Sequence, residues 1–155
     1  MNEAILEVIA LSRSDLQRSR VVLQSELADY LPTVTGDRIQ LQQVILNLLR
    51  NASHATADVH DRPRQLLIKT DRKDDDRVLV SVRDAGVGID AQTMDKLFDA
   101  FYRMKTDGMG IGLSISRSTI ERHRGRSGQS RPTDQGPRSG CRFLARARAW
   151  PFETA

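Results

Sequence analysis

Asn47, Asn51 and His54 fall at i, i+4 and i+7, a spacing that puts all three on one face of a helix. A side-chain amide is neither acid nor base at ordinary pH. It can offer a neutral oxygen to a hard cation or an NH₂ group to a phosphate. The same residues also fit a plain solvated face, although asparagine is a weak helix former. Asp84 ends the segment RVLVSVRD and shares its two-residue alternation with Val78, Val80 and Val82. Its carboxylate therefore faces the side that the valines bury. A buried carboxylate needs a donor. The exocyclic amine of a ligand would serve, and so would the amides of a following turn. Glycines come next, in two groups. Gly86 and Gly88 flank Val87, while Gly108, Gly110 and Gly112 lie in DGMGIGL at the start of a helical pattern. Glycines let backbone amides approach phosphate oxygens, and a helix N-terminus favours negative charge. The spacing lacks the Gly-Lys-Ser/Thr ending of a P-loop and the βαβ context of a Rossmann fingerprint.

These side chains need a scaffold. Asp37 is placed to cap a helix over 37–56, in which Leu41, Val44, Ile45, Leu48, Leu49, Ala52 and Ala55 form one apolar stripe. Residues 3–17 read as a shorter amphipathic helix built on Ile5, Leu6, Ile9 and Leu16. Residues 21–27, 65–70 and 77–84 read as strands, with the acidic stretch 71–76 as a hairpin tip between the last two. Pro32 and Gly36 bracket an extended piece, 33–35. Residues 84–90 and 102–110 read as loops, 92–98 as a short helix and 111–123 as a longer one. This order predicts an α/β two-layer sandwich, a mixed sheet with helices on one face.

The chain has 155 residues, 39% hydrophobic and 28% charged, enough for one core and too apolar for a disordered chain. No apolar run approaches the roughly 18 residues of a membrane span. Glu3, Glu7, Arg13, Asp15 and Arg18 interrupt any signal-peptide block. The single Cys141 excludes an internal disulfide and a cysteine-based zinc site. A reducing, cytoplasmic setting is expected, with no membrane contact from this segment. The net charge of +4 invites a nucleic-acid reading, but the charge is unevenly spread. Residues 1–121 hold 16 Lys and Arg against 18 Asp and Glu, whereas 122–155 hold 8 Arg against 2 acids. The folded body carries no basic excess, so nucleic acid is not an expected partner.

Four stretches taken together are specific. QLQQVILNLLRNASHAT, DAGVGI, KLFDAFYRMK and DGMGIGLSISRSTIE resemble the N box, first glycine box, F box and second glycine box of the ATP-binding catalytic domain of sensor histidine kinases. That domain belongs to the wider superfamily of gyrase, Hsp90 and MutL ATPases, with the Bergerat-type ATP-binding fold. The resemblance covers roughly residues 4–126. It implies Mg-ATP as the bound nucleotide, with Asn51 as the metal ligand, Asn47 supporting metal and phosphates, and His54 near the phosphates. Asp84 would accept from the adenine amino group, and Gly86 and Gly88 would let the chain pass close to the base. Ile89, Thr106 and Leu113 would join the nucleotide site. Lys105, Gly108, Gly110 and Gly112 would meet the phosphates, though Lys105 also fits a solvated lid charge. Phe98 and Phe101 would anchor a lid, or pack in the core.

The same resemblance implies transfer of the γ-phosphoryl group to a histidine on a separate dimerisation domain, and through it to a response regulator. Gyrase-like members place a glutamate general base where this chain has Asn47, so efficient ATP hydrolysis is not expected. His60-Asp61-Arg62-Pro63 faintly resembles the acceptor motif, but lies in a loop after the N box. The alternative readings are a serine kinase of the anti-sigma type, or an inactive truncated fragment.

The resemblance divides the chain into a domain over 1–126 and an Arg-rich tail over 127–155. The genetic code offers an origin for that tail. Ser127 to Ser130 can be encoded TCT GGG CAG AGC, which, preceded by a codon ending in C and read one base earlier, is CTC TGG GCA GAG, or Leu-Trp-Ala-Glu. The same shift continued to Leu144 permits Pro-Ala-Asn-Gly-Pro-Gly-Ala-Thr-Phe-Arg-Leu-Ser-Leu-Pro, the ending such domains have. The expectation is a reading-frame slip that costs the sheet its final strand, leaves an unsatisfied edge, and lowers stability and ATP affinity.

Overall fold

The computed structural model describes residues 1–74, 77–86, 112–124, 126–129 and 140–146. Eight elements follow in order: α1 (Asn2–Arg18), β1 (Val21–Leu27), α2 (Arg38–Ala55), β2 (Arg64–Asp74), β3 (Arg77–Asp84), α3 (Gly112–Arg122), β4 (Arg126–Gln129) and β5 (Gly140–Arg146). The strands form one sheet in the order β1-β2-β3-β5-β4. β1 runs parallel to β2, with α2 as the crossover between them, and the remaining pairs are antiparallel. The expected mixed sheet with helices is what the chain forms.

Helix α2 forms where its sequence directs it. The Asp37 backbone is extended, and its carboxylate accepts from the Gln40 amide at 3.0 Å, satisfying one of the open donors of the first turn. Leu41, Val44, Ile45, Leu48, Leu49 and Ala52 are all buried on its inner stripe. They join Ile5, Val8 and Leu16 of α1, Leu66 and Ile68 of β2, Val78, Val80 and Val82 of β3 and Ile120 of α3 in one core. Each such Leu or Ile contributes about 1.5–3 kcal/mol by leaving water. The sheet obeys the alternation: Leu66, Ile68 and Thr70 are buried in β2 while Leu67 and Lys69 between them are half-buried.

Polar ties fix the helices to one another. The Thr70 hydroxyl accepts from the Ala28 amide and donates to Asn2 Oδ1, and Asn2 donates in turn to the Ala28 carbonyl. Arg38 of α2 donates to Glu7 of α1 at 2.6 Å. At the far end of α3, His123 Nδ1 lies 2.8 Å from the Thr119 carbonyl, and its Nε2 accepts from the Asp37 amide at 2.9 Å. The imidazole fills the space beside Gly36, where a Cβ would come within 2.4 Å of the ring.

Three boundaries differ from expectation. α1 is longer than 3–17 because the Asn2 side chain anchors its first turn. β2 runs on into the acidic stretch, pairing Asp71 with Leu79 and Arg72 with Val78 before a register shift ahead of Asp74. Lys69 lies 3.5 Å from Asp71, which offsets part of the acidic repulsion. The third difference is the largest. The sheet does not stop at β3: β5 pairs antiparallel with it from Arg77↔Arg146 to Arg83↔Gly140, and β4 covers β5. The expected loss of the final strand is therefore corrected. A ladder is made of backbone N–H and C=O groups, which any non-proline residue supplies. Pro132 and Pro137 both fall between the two strands. Among the described residues no helix is long and apolar enough to cross a membrane.

Candidate functional site

Asp84 is the last residue of β3 and only 6% exposed, in step with Val78, Val80 and Val82, as its parity requires. The Gly86 amide donates to Asp84 Oδ1 at 2.9 Å, closing a turn directly after the strand. A Cβ added at Gly86 would lie 2.6 Å from Asp84 Oδ1 and 2.7 Å from the Ala55 carbonyl. No side chain fits there. Absence of a Cβ is what lets the turn close against the C-terminal end of α2. The acid, its turn and the end of the asparagine-bearing helix thus meet at one place.

Asn47 is half-buried and takes part in a chain of hydrogen bonds. Its Oδ1 accepts from Gln43 at 3.4 Å and its Nδ2 donates to Ser116 Oγ at 3.4 Å. Ser116 is 3% exposed and donates to the Gly112 carbonyl at 2.8 Å. α2 is tied in this way to the first turn of α3. Asn51, one turn further on, is exposed, and no partner among the described residues holds its amide. Among the described residues a Cβ at Gly112 would meet nothing within 4 Å, in contrast to the crowding at Gly86. Leu113 packs partly buried against the core.

His54 stands apart from the two asparagines. It lines a cavity of about 230 Å³ between α1 and α2 together with Arg50, Ser53, Ser12 and Asp15. The expected grouping of Asn47, Asn51 and His54 holds along the helix. In three dimensions, however, Asn47 reaches toward α3 while His54 borders the α1 side. Gly88, Ile89, Phe98, Phe101, Lys105, Thr106, Gly108 and Gly110 lie outside the described residues, as do the expected helix 92–98 and the loop 102–110.

Two residues that the sequence reading passed over support this arrangement. Ser116 lies one helical turn from both Gly112 and Ile120, a spacing that could have marked it as part of the inward face. Arg62 sits in the loop after α2. Its Nε and one NH₂ group donate to the Ala85 carbonyl at 3.2 Å, and the same NH₂ group donates to the Gly86 carbonyl at 3.1 Å. Its local signal was a basic residue ahead of Pro63, within reach of the glycine turn. In sequence that signal was masked by the likeness of 60–63 to an acceptor motif. His60 itself is exposed in that loop.

An inward carboxylate behind a glycine turn can accept from an amine, and a helix carrying two neutral amides can hold a cation or phosphate oxygens. Among the described residues no group of three or more His, Cys, Asp or Glu gathers as a metal site, so a cation here would rest on amide oxygen and on oxygens of its ligand.

Residues 36–149 match the family described as histidine kinase-, DNA gyrase B- and HSP90-like ATPase. The sensor protein FixL of Bradyrhizobium diazoefficiens is 39% identical over 126 residues, which is 81% of this chain and 25% of FixL. This chain thus spans about a quarter of that relative's length. Among solved structures, the catalytic domain of the histidine kinase ThkA superposes with a TM-score of 0.81 at 28% identity, covering 94% of this chain and 91% of that one. ThkA in complex with the response regulator protein TrrA superposes with a TM-score of 0.78 at 26% identity, over 96% of this chain and 40% of that one. Full-length ShkA in complex with AMPPNP superposes with a TM-score of 0.79 at 26% identity, over 95% of this chain and 30% of that one.

Proposed function

This chain belongs to the histidine kinase-, DNA gyrase B- and HSP90-like ATPases as the catalytic domain of a sensor histidine kinase, and on that premise we propose that it binds Mg-ATP and presents the γ-phosphoryl group to a histidine on a separate dimerisation domain. The phosphoryl group would pass from there to a response regulator, and the domain would work in the cytoplasm. Asp84 carries the reading. It is a buried carboxylate, fixed by a glycine turn at the end of a strand, beside a helix that bears two asparagines.

In this reading Asp84, whose Oδ1 already accepts from the Gly86 amide, also accepts from the adenine amino group. Gly86, having no Cβ, lets the turn close against the Ala55 carbonyl and so holds Asp84 in place to meet the base. Asn51, exposed one turn beyond Asn47, offers its amide oxygen to Mg²⁺, a hard cation that prefers oxygen. When bound, that ion would neutralise charge on the phosphates. Asn47 holds the α3 end of the site through Ser116, and the backbone amides at the start of α3, from Gly112 on, would meet phosphate oxygens. Gly88, Ile89, Phe98, Lys105, Thr106, Gly108 and Gly110 would complete the enclosure, as the family resemblance implies. Phosphoryl transfer needs positioning and charge neutralisation above all. Asn47 cannot take a proton from water, so this site favours transfer to a delivered side chain over hydrolysis.

The test is Mg²⁺-dependent binding of a fluorescent ATP analogue, followed by phosphate transfer to a supplied dimerisation domain. Asn51→Ala is expected to weaken binding by at least about tenfold and to remove its Mg²⁺ dependence, and Asp84→Ala to abolish it. Unchanged affinity in both variants would discard the assignment. Binding without transfer to histidine, but with transfer to a serine substrate, would favour the anti-sigma type of kinase.

A further inference from the structure

We infer that Arg62 is the positioning residue for adenine recognition, holding the Ala85–Gly86 turn so that Asp84 keeps the orientation that reads the exocyclic amine of the base. The inference rests on the nucleotide reading above and assigns a role that reading leaves open.

The geometry is specific. Both carbonyls of the turn receive bonds from one guanidinium, with two at 3.2 Å on Ala85 and one at 3.1 Å on Gly86. Charged, fixed-fork donors of this kind are stronger than neutral ones and are planar in their demands. With both carbonyls held from the loop side, the Gly86 amide stays turned toward Asp84 Oδ1, and the Ala85 amide toward the Gln65 carbonyl at 3.0 Å. The whole turn is therefore fixed from three directions.

The loop that carries Arg62 is itself braced. Arg64 donates to the carbonyls of Ala57, Val59 and Ser19, and Val59 is buried at 3% exposure, with its amide on the Thr56 carbonyl. Arg62 is thus presented from a rigid base that continues α2, the helix that bears Asn47 and Asn51. Metal end and base end of the proposed site are linked through backbone that Arg62 closes. Arg62 touches no substrate in this arrangement, so its effect must appear as lost discrimination at the amine and not as lost phosphate chemistry.

The experiment compares wild type, Arg62→Ala and Arg62→Gln for equilibrium binding of Mg-ATP and Mg-ITP, which differ in the exocyclic amine, alongside a thermal melt of each. Arg62→Ala is expected to weaken ATP binding about tenfold, the scale of one or two charge-assisted hydrogen bonds, and ITP binding less than about twofold. Arg62→Gln, which retains a shorter neutral donor, is expected to lie between. If Arg62→Ala fails to fold, the ATP-to-ITP ratio of Arg62→Gln decides alone. A folded variant that keeps the wild-type ratio, whether both affinities hold or both fall together, overturns the role. A wild-type chain that binds neither nucleotide overturns the nucleotide reading and the role with it, an outcome recognisable before any variant is made.

Discussion

Strands β1 to β3 and strands β5 and β4 share one sheet but come from very different sequence. The first three carry Val21, Leu66, Ile68, Val78, Val80 and Val82 into the core beneath α1 and α2. The last two come from the stretch after residue 121, where 8 arginines face 2 acids. They join through a backbone ladder in register, Val82↔Cys141 and Val80↔Phe143. A ladder asks only for backbone groups, so strands of such different composition can share one sheet. The candidate site belongs to the first region, since Asp84, Asn47 and Asn51 sit on β3 and α2 and Gly86 in the turn directly after β3.

That contrast can be broken from either side. Ile45→Asp places a charge at a position with 0% exposure and is expected to cost about 4–5 kcal/mol or more, enough to abolish cooperative unfolding in a urea titration followed by circular dichroism. Removing residues 126–155 deletes β4 and β5. It is expected to cost on the order of 3 kcal/mol while leaving the helical signal in place, and to promote association through the bared edge of β3, measurable by light scattering. A monomer of unchanged stability would mean that the two strands contribute nothing.

Glycine substitutions sharpen the comparison within the site. Gly86→Ala must displace backbone at the Ala55 carbonyl, 2.7 Å away, and is expected to lower stability by about 2 kcal/mol along with nucleotide affinity. Gly112→Ala meets nothing within 4 Å among the described residues and is expected to leave the melt unchanged while weakening ATP binding. Equal effects on both melts would refute the distinction. Shifting the reading frame by one base after residue 126 tests the tail directly. If its text arose from a slip, the restored chain is expected to gain about 1–2 kcal/mol, a rise of about 2–4 °C in Tm per kcal/mol. Coding DNA whose shifted frame meets an early stop would end that account. Ser116→Ala removes the link between Asn47 and the Gly112 turn, and is expected to cost about 1 kcal/mol in the same urea titration, with no change in helix content.

Much of the first region was legible in the sequence. Asp37 caps α2 as its type and place suggested, the stripe from Leu41 to Ala52 is buried, and Asp84 follows the parity of its valines inward. Each of these is a local signal, a period or a cap. What could not be read depends on partners far apart in the chain. Arg62 meets Ala85 and Gly86 only because the loop after α2 folds back along β3. His123 meets Asp37 across 86 residues. β5 was not expected, because its register against β3, Val82 with Cys141 and Val80 with Phe143, joins residues far apart in the chain. For His54, helical spacing shows the face shared with Asn47 but not that the residue also borders the space between α1 and α2.

Helix α3 is clipped to α2 at both ends, through Ser116 and Asn47 near its start and through His123 and Asp37 at its finish. Tilting α3 against α2 would break one of those two bonds, so the same contacts that join the helices also set the cost of parting them.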